Sequence, residues 1–383
     1  MAVPTSKQVK IAGIVDGPPF DPSTWSGGSR PFFGTLKDQG HLCAAVSGLP
    51  NKAWLLIYKL RNFRLPLASW RFSYHLDIGL YKRMYRKARR KLLIMKQPFD
   101  HILQINVWFN APKLATEFSN VSTSSYEGSN LYTLLASPYG HPKVPNKIID
   151  NVLAFEKRVY GNLDFVFTRS DWARKSFIHD YGIPADNVIC VGTGINLERI
   201  PERYQKDYNS KRILFIGTDF RRKGGDYLLS AFTKIRKAIK GARLTIIGPK
   251  PSGLPTGVEC LGFISQNNPE GRQRILDAYR EAALFVMPSL YEPFGNVFLE
   301  AMAHMVPCIG TTACAMPEII QNGQTGYTVE PGNVEALADC MAHALETPEE
   351  LETLGAAAYE AVQQKFDWNL VVRNMIQILT RQA

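Results

Sequence analysis

The 383-residue sequence is poor in several features that would settle its class at once. It has six cysteines (Cys43, Cys190, Cys260, Cys308, Cys314 and Cys340), scattered and with no C-x-x-C pair. That spacing excludes a zinc ribbon or a disulfide framework and predicts buried free thiols in a reducing, cytoplasmic setting. No apolar run approaches the ~18 residues that a spanning helix requires. Residues 1–10 are polar and lack the apolar core of a signal peptide. Short-period repeats are also missing. Apolar residues make up 45% and charged residues 21%, which excludes a disordered chain or a coiled coil.

What is in excess is positive charge, and it is unevenly placed. The chain has 45 Lys+Arg against 34 Asp+Glu, net +11. Residues 1–200 hold 26 basic and 14 acidic side chains, net +12, and residues 201–383 hold 19 and 20, net −1. A nucleic-acid coat would be basic throughout; two domains with different partners would not. Much of the excess lies in Lys82, Arg83, Arg86, Lys87, Arg89, Arg90 and Lys91, on a helical stretch whose Leu76, Ile78, Leu80, Tyr81, Met84, Tyr85, Ala88, Leu92 and Leu93 form a partial apolar stripe. A basic amphipathic helix reads as a peripheral membrane or acceptor patch on the inner face of a membrane, with a solvated helix face as the competing reading. The aromatics do not alternate with the basic residues as a nucleic-acid stacking platform would, so no nucleic-acid partner is expected.

Along the chain, short apolar runs alternate with helical patterns. Strands are expected at residues 8–16, 100–107, 131–137, 164–168 and 187–191, with helices near 31–39, 74–96, 146–160 and 171–181. The polar stretch 193–211 reads as a linker. The alternation then restarts, with strands at 212–217, 242–248, 258–263, 284–287 and 307–310 and helices at 225–239, 271–282, 296–305 and 334–345. This pattern predicts an α/β protein of two doubly wound parallel-sheet domains facing across a cleft, with ligands at the carboxyl ends of the strands. The expected division is 1–200, 201–365 and a C-terminal helix 366–383 returning to the first domain.

The sharpest local feature is Ser289-Leu-Tyr-Glu-Pro-Phe-Gly-Asn-Val-Phe-Leu-Glu300. Glu292 sits in a loop after a strand, Gly295-Asn296 opens a helix, and Glu300 lies about one turn inside it. Free amides at a helix start hold anions, and flanking carboxylates accept hydrogen bonds from hydroxyls. Together they suit a polyol–phosphate ligand such as a sugar nucleotide. The competing reading is a helix N-terminus decorated with Glu for its dipole.

Glu292 and Glu300, spaced E-x7-E, resemble the paired glutamates of retaining family-4-type glycosyltransferases. Phe215-Ile-Gly-Thr-Asp-Phe-Arg-Arg-Lys223-Gly-Gly resembles that family's phosphate-binding segment, and residues 317–332 (PEIIQNGQTGYTVEPG) resemble its "PEii-dG-tGylv-pG" stretch. Gly27-Gly28 and Gly40-His41 match its N-terminal signatures, and Leu244–Gly248 and the tail from Phe366 extend the likeness. The resemblance is specific across 211–340 and weak across 45–130.

It implies two Rossmann-like domains (GT-B) and retaining, metal-independent transfer of a hexose from a nucleotide diphosphate sugar, UDP-glucose being the commonest donor. The acceptor would be a saccharide or lipid-linked saccharide. Glu292 would hold donor-sugar hydroxyls and Glu300 the ribose. Lys223 with Arg222 would neutralise the diphosphate, capped by the amides of Phe294, Gly295, Asn296 and Val297. Phe263 and Ile264 would read the base, Gly27 and Gly28 would approach the diphosphate, and His141 would lie near the anomeric carbon. No Asp-x-Asp occurs, so no metal or other cofactor is expected, and lysine and arginine would replace the metal. Arg221, Arg222 and Lys223 also read as a solvated loop, and His141 as a loop histidine packed on Tyr139. Two departures stand out: Thr218 where the family has Arg, and Cys314-Ala315-Met316 where it has glycines before Pro-Glu. An epimerase or phosphorylase relative, or a non-catalytic nucleotide-sugar- or membrane-binding scaffold, are the alternatives.

Overall fold

The computed structural model describes residues 8–95, 97–137, 139–266 and 268–381. The chain forms two compact units. The first contains residues up to Ala136, Gly140–Gly194 and the tail from Trp368; the second contains Ser137–Tyr139 and Ile195–Asp367.

In chain order the first unit comprises β1 (Ile11–Val15), α1 (Ser29–Asp38), β2 (Leu42–Ser47), α2 (Lys52–Arg61), α3 (Leu67–His75), α4 (Ile78–Leu93), β3 (His101–Ile105), α5 (Ala111–Ala115), β4 (Ser122–Glu127), α6 (Leu131–Leu135), α7 (Asn146–Tyr160), β5 (Phe165–Thr168), α8 (Asp171–His179) and β6 (Val188–Cys190). All strand pairs are parallel, in the order β2-β1-β3-β4-β5-β6. Both faces are covered, as parallel sheets require. Along β1, Ala12 and Ile14 pack under α4 and its neighbours, while Ile11 and Val15 pack on the opposite face with Phe32, Phe33 and Trp368.

The second unit comprises β7 (Arg212–Ile216), α9 (Gly225–Ala238), β8 (Arg243–Ile247), β9 (Val258–Cys260), α10 (Pro269–Glu281), β10 (Leu284–Val286), α11 (Asn296–Ala303), β11 (Cys308–Thr311), α12 (Met316–Ile319), β12 (Gly326–Val329), α13 (Val334–Glu346) and α14 (Pro348–Lys365). Its parallel sheet has the order β12-β11-β10-β7-β8-β9. The last helix, α15 (Trp368–Arg381), belongs to the first unit. There Trp368 packs on Phe32 and Tyr126, and a Cβ at Gly194 would come within 2.3 Å of its indole. The expected pair of doubly wound α/β domains is thus present.

Three local expectations are corrected. Residues 131–137 are not a strand: Leu131–Leu135 is the short helix α6, opened by a capping box in which Asn130 accepts from the Thr133 amide and Thr133 accepts from the Asn130 amide. The strand of this region is β4, whose sequence STSSYE looks like a loop. Three of its hydroxyls find partners, with Ser122 and Ser124 each 2.7 Å from one ring nitrogen of the buried His101 and Thr123 on Asp164. Burial pushes the His101 pKa down to about 3 and keeps the ring neutral. The cysteines are all free, yet only Cys308 is buried, and Cys190 is exposed.

Candidate functional site

In the second unit, β7 and β10 are neighbours, but the chain leaves them in opposite directions along the sheet. That is the switch point at which open α/β sheets bind ligands, and the loops after these two strands hold the motif residues. Glycine makes their closeness possible. Gly224 has φ +76°, and a Cβ there would lie 2.0 Å from the Pro288 carbonyl oxygen. Gly217 leaves room for the Lys223 stem, whose Cδ would be 2.4 Å from an added Cβ. The Leu290 amide donates to the Arg222 carbonyl at 2.9 Å, tying loop to loop.

The two loops bring three charges together. Lys223 and Glu292 are each 9% exposed. The Lys223 ammonium donates to Glu292 Oε2 at 2.8 Å and lies 3.4 Å from Met287 Sδ. Arg222 donates to the same oxygen at 3.3 Å and to the Tyr291 carbonyl at 2.6 Å. Asp219 steadies the arginine from the other side, with its carboxylate 3.4 Å from the guanidinium. Lys223 and Arg222 are therefore not solvated loop cations, whereas Arg221 is, with a highly exposed side chain beside Asp226. Two cations thus share one buried carboxylate, and with Asp219 on Arg222 the four formal charges balance, so an anionic ligand would bind by drawing Lys223 and Arg222 off Glu292.

Helix α11 starts beside this cluster. Gly295 precedes it with no side-chain cap, and no acidic residue occupies the first turn. A Cβ on Gly295 would strike Phe298, so the backbone there is bare. Phe294 and Gly295 precede the helix, and Asn296 and Val297 are its first two residues. Glu300, one turn on, accepts a hydrogen bond from Tyr279 of α10 at 3.0 Å. Burial raises its pKa, opposed by Tyr279 and by the charge of Lys223. Lys223 thus acts on both glutamates of the E-x7-E pair. The reading of the motif missed Tyr279, because nothing local to its sequence links it to a residue 21 positions later.

Phe263 and Ile264 follow β9 at the sheet edge, where Phe263 is 68% exposed. Backbone contacts join this loop to the centre: the Gly248 amide donates to the Gly262 carbonyl at 3.0 Å, and the Gly217 amide to the Ile247 carbonyl at 2.9 Å.

The remaining candidates lie in the first unit. Gly27 (φ +87°) ends a tight turn after β1, and Gly28 precedes α1. This turn sits at that sheet's own switch point, between β1 and β3. His141 follows α6 in a loop and packs on Phe72, at 5.7 Å between ring centroids, with Nδ1 3.2 Å from the Pro142 carbonyl. The basic residues of α4 divide. Arg83 stacks on Trp54, Lys87 and Lys91 donate to the Leu49 and Ser47 carbonyls, and Arg89 pairs with Glu117. Lys82, Arg86 and Arg90 stay exposed. The apolar stripe of α4 is core, since Leu80, Tyr81, Met84, Ala88 and Leu92 are all buried.

Buried acids of the first unit escaped the sequence reading. Glu127 ends β4 and is held well above the usual carboxylate range by burial and by Glu156. Burial pushes Glu156, bonded to Tyr181, up to about 7. Among the described residues, no three His, Cys, Asp or Glu side chains gather as a metal site.

Residues 210–347 match the family model "Glycosyl transferases group 1". The chain is 26% identical over 272 residues to a GDP-mannose-dependent alpha-(1-6)-phosphatidylinositol monomannoside mannosyltransferase of Mycobacterium tuberculosis, covering 64% of this chain and 69% of that protein. It is 32% identical over 183 residues to the N-acetyl-alpha-D-glucosaminyl L-malate synthase of Bacillus anthracis, covering 45% and 47%. It thus spans about half of that protein and of several other relatives. Its structure is similar to sucrose-phosphate synthase from Thermosynechococcus elongatus (TM-score 0.73, 20% identity, 98% of each chain). It is also similar to Anabaena HepE in complex with UDP and glucose (TM-score 0.65, 15% identity, 97% of this chain and all of that one). Residues 210–347 are therefore similar to the group 1 glycosyl transferase domain, in a chain that shares the two-domain GT-B fold of these solved structures.

Proposed function

We propose that the chain is a retaining glycosyltransferase that moves a hexose from a nucleotide diphosphate sugar, UDP-glucose first among the candidates, to a saccharide or lipid-linked saccharide. The observation that carries this is the Lys223–Arg222–Glu292 cluster at the β7/β10 switch point, beside the uncapped start of α11. The second unit takes the donor and the first the acceptor. Lys223 and Arg222 neutralise the diphosphate as charge grows on the leaving group, and the amides of Gly295, Asn296 and Val297 with Phe294 cap it. Such fixed donors cost no reorganisation in the transition state. With the diphosphate sharing the two cations, Glu292 turns to the sugar hydroxyls. Glu300 holds the ribose, and Phe263 with Ile264 receives the base. Gly27 and Gly28 supply bare backbone to the diphosphate, and His141 attends the anomeric carbon.

No metal enters this scheme, since the two cations take the place of one. Lys82, Arg86 and Arg90 supply a weak contact with an anionic membrane surface carrying the acceptor, on the cytoplasmic side. The match of 210–347 to a glycosyl transferase model and the mannosyltransferase likeness support transfer over binding alone. The test is donor hydrolysis and transfer, with chelator present, across UDP-, GDP- and ADP-sugars. One donor is consumed with retained anomeric configuration, and Lys223→Met and Glu292→Gln lose that turnover. Consumption of no donor, or inversion, overturns the reading.

A further inference from the structure

The charge excess has a narrower address than the first unit as a whole. Residues 49–95 hold twelve basic side chains and one acidic one, a net of +11, equal to that of the entire chain. The single acid, Asp77, is consumed internally: Oδ1 caps α4 through the amides of Gly79 and Leu80, and Oδ2 accepts from Asn62 at 2.5 Å. The face built by this segment therefore presents cations with no exposed carboxylate of its own.

The same segment carries the largest group of exposed apolar side chains among the described residues. Leu56, Ile57 and Leu60 on the outer face of α2, and Phe63, Leu65 and Leu67 in the turn to α3, are each 49–75% exposed. Soluble proteins expose single large apolar residues freely, but a cluster of six marks an interaction surface. The cluster rests on a fixed base. Tyr58, on the inner face of α2, donates to the Gly79 carbonyl at 3.0 Å, and Asn62 links the end of α2 to Asp77. Trp70 of α3 donates to the Lys59 carbonyl at 2.6 Å and packs edge-on to Phe63. Lys52, Lys59, Arg61 and Arg71 are exposed around it.

We infer that the α2–α3 hairpin docks the protein on an anionic lipid bilayer, its apolar crest entering the headgroup region and its cations meeting the lipid phosphates. The charge decides the occupant. An apolar crest alone would suit a second copy of the chain, but a like-charged rim repels a copy, and an anionic surface attracts it. The apolar stripe of α4 cannot do this, because it is core; α2 and its turn supply what α4 lacks. The inference deepens only the membrane part of the proposed function and is independent of sugar transfer.

The test is sedimentation of the full chain with vesicles of phosphatidylglycerol and phosphatidylcholine at roughly 3:7, beside pure phosphatidylcholine, with donor-sugar hydrolysis measured in parallel. Binding requires phosphatidylglycerol. Leu60→Ser/Phe63→Ser/Leu65→Ser weakens it at least ~10-fold and abolishes the part that survives raising salt from about 0.1 to about 0.5 M. Lys52→Gln/Arg61→Gln/Arg71→Gln weakens binding at low salt. Hydrolysis and thermal unfolding of both variants match the parent, so loss of binding is not loss of fold. Equal binding by the serine variant overturns the inference, as does a parent that ignores the vesicles. So does a parent that elutes as a dimer which the serine variant dissolves, since the crest then covers a second copy. Hydrolysis failing in every form, with vesicle binding intact, removes the sugar-transfer reading and leaves this one standing.

Discussion

At the scale of single residues, the account turns on how Lys223 is held. Its stem passes over Gly217, and its ammonium is shared between Glu292 and the field of Glu300. Glu292→Gln keeps the size and one acceptor but removes the charge that fixes the lysine. We expect donor turnover to fall by about 10²-fold or more, an interaction loss on the order of 3 kcal/mol, read as kcat/KM. Gly224→Ala places a methyl against the Pro288 carbonyl at positive φ, which should cost at least ~2 kcal/mol in a denaturant titration. If the variant is as stable as the parent, the two loops are not clamped as described. A third effect concerns Glu156, whose folded pKa of about 7 lies above its ordinary 4.5. The folded state keeps this proton where the unfolded chain releases it, so the contribution is full below 4.5 and is lost as pH rises through about 7. Between about pH 5 and pH 8 the parent should lose on the order of 3 kcal/mol more than Glu156→Gln, compared by urea unfolding. Equal losses would mean the buried acid is not the source. Lys223, Arg222 and Glu292 were legible in the sequence because each lies within a short motif just after a strand. Tyr279 and Glu156 were not, because what matters about them is burial and a partner on another element.

At the scale of elements, regular alternation was legible and disguised segments were not. Helix α7 falls on the expected residues, 146–160, because its apolar positions recur at helical spacing and Pro145 precedes it. Strand β4 hid because serine and threonine are poor signals of burial, and only its neighbours reveal the partners of their hydroxyls. The stripe on α4 was correctly seen as amphipathic, but an amphipathic face serves a sheet as readily as a membrane. The clustering of exposed apolar residues on α2 is visible only once Tyr58 is seen to face inward. The tail helix α15 gives the clearest prediction at this scale. Trp368 is buried against Phe32 and Tyr126, so Trp368→Ala should destabilise the first unit by about 3–5 kcal/mol, seen in its unfolding transition. An unchanged transition would show that the return of the tail contributes nothing.

At the scale of the whole molecule, two parallel sheets of similar build carry different surfaces. The charge difference between the halves, +12 against −1, was readable from composition alone. What composition could not show is that the near-neutral half holds Lys223 buried and Arg222 half-buried on one carboxylate, while the basic half gathers its cations beside exposed leucines. Each switch point holds a glycine at positive φ, Gly27 in one sheet and Gly224 in the other. The central claim is that Lys223 and its neighbours form a diphosphate site, and calorimetric titration tests it most directly. UDP, GDP and ADP are each added to the parent and to Lys223→Met. The account predicts that one of them binds the parent with one-to-one stoichiometry and that the variant binds it about 10- to 100-fold more weakly, the loss of one buried charge-assisted contact. Equal affinity for parent and variant would contradict it.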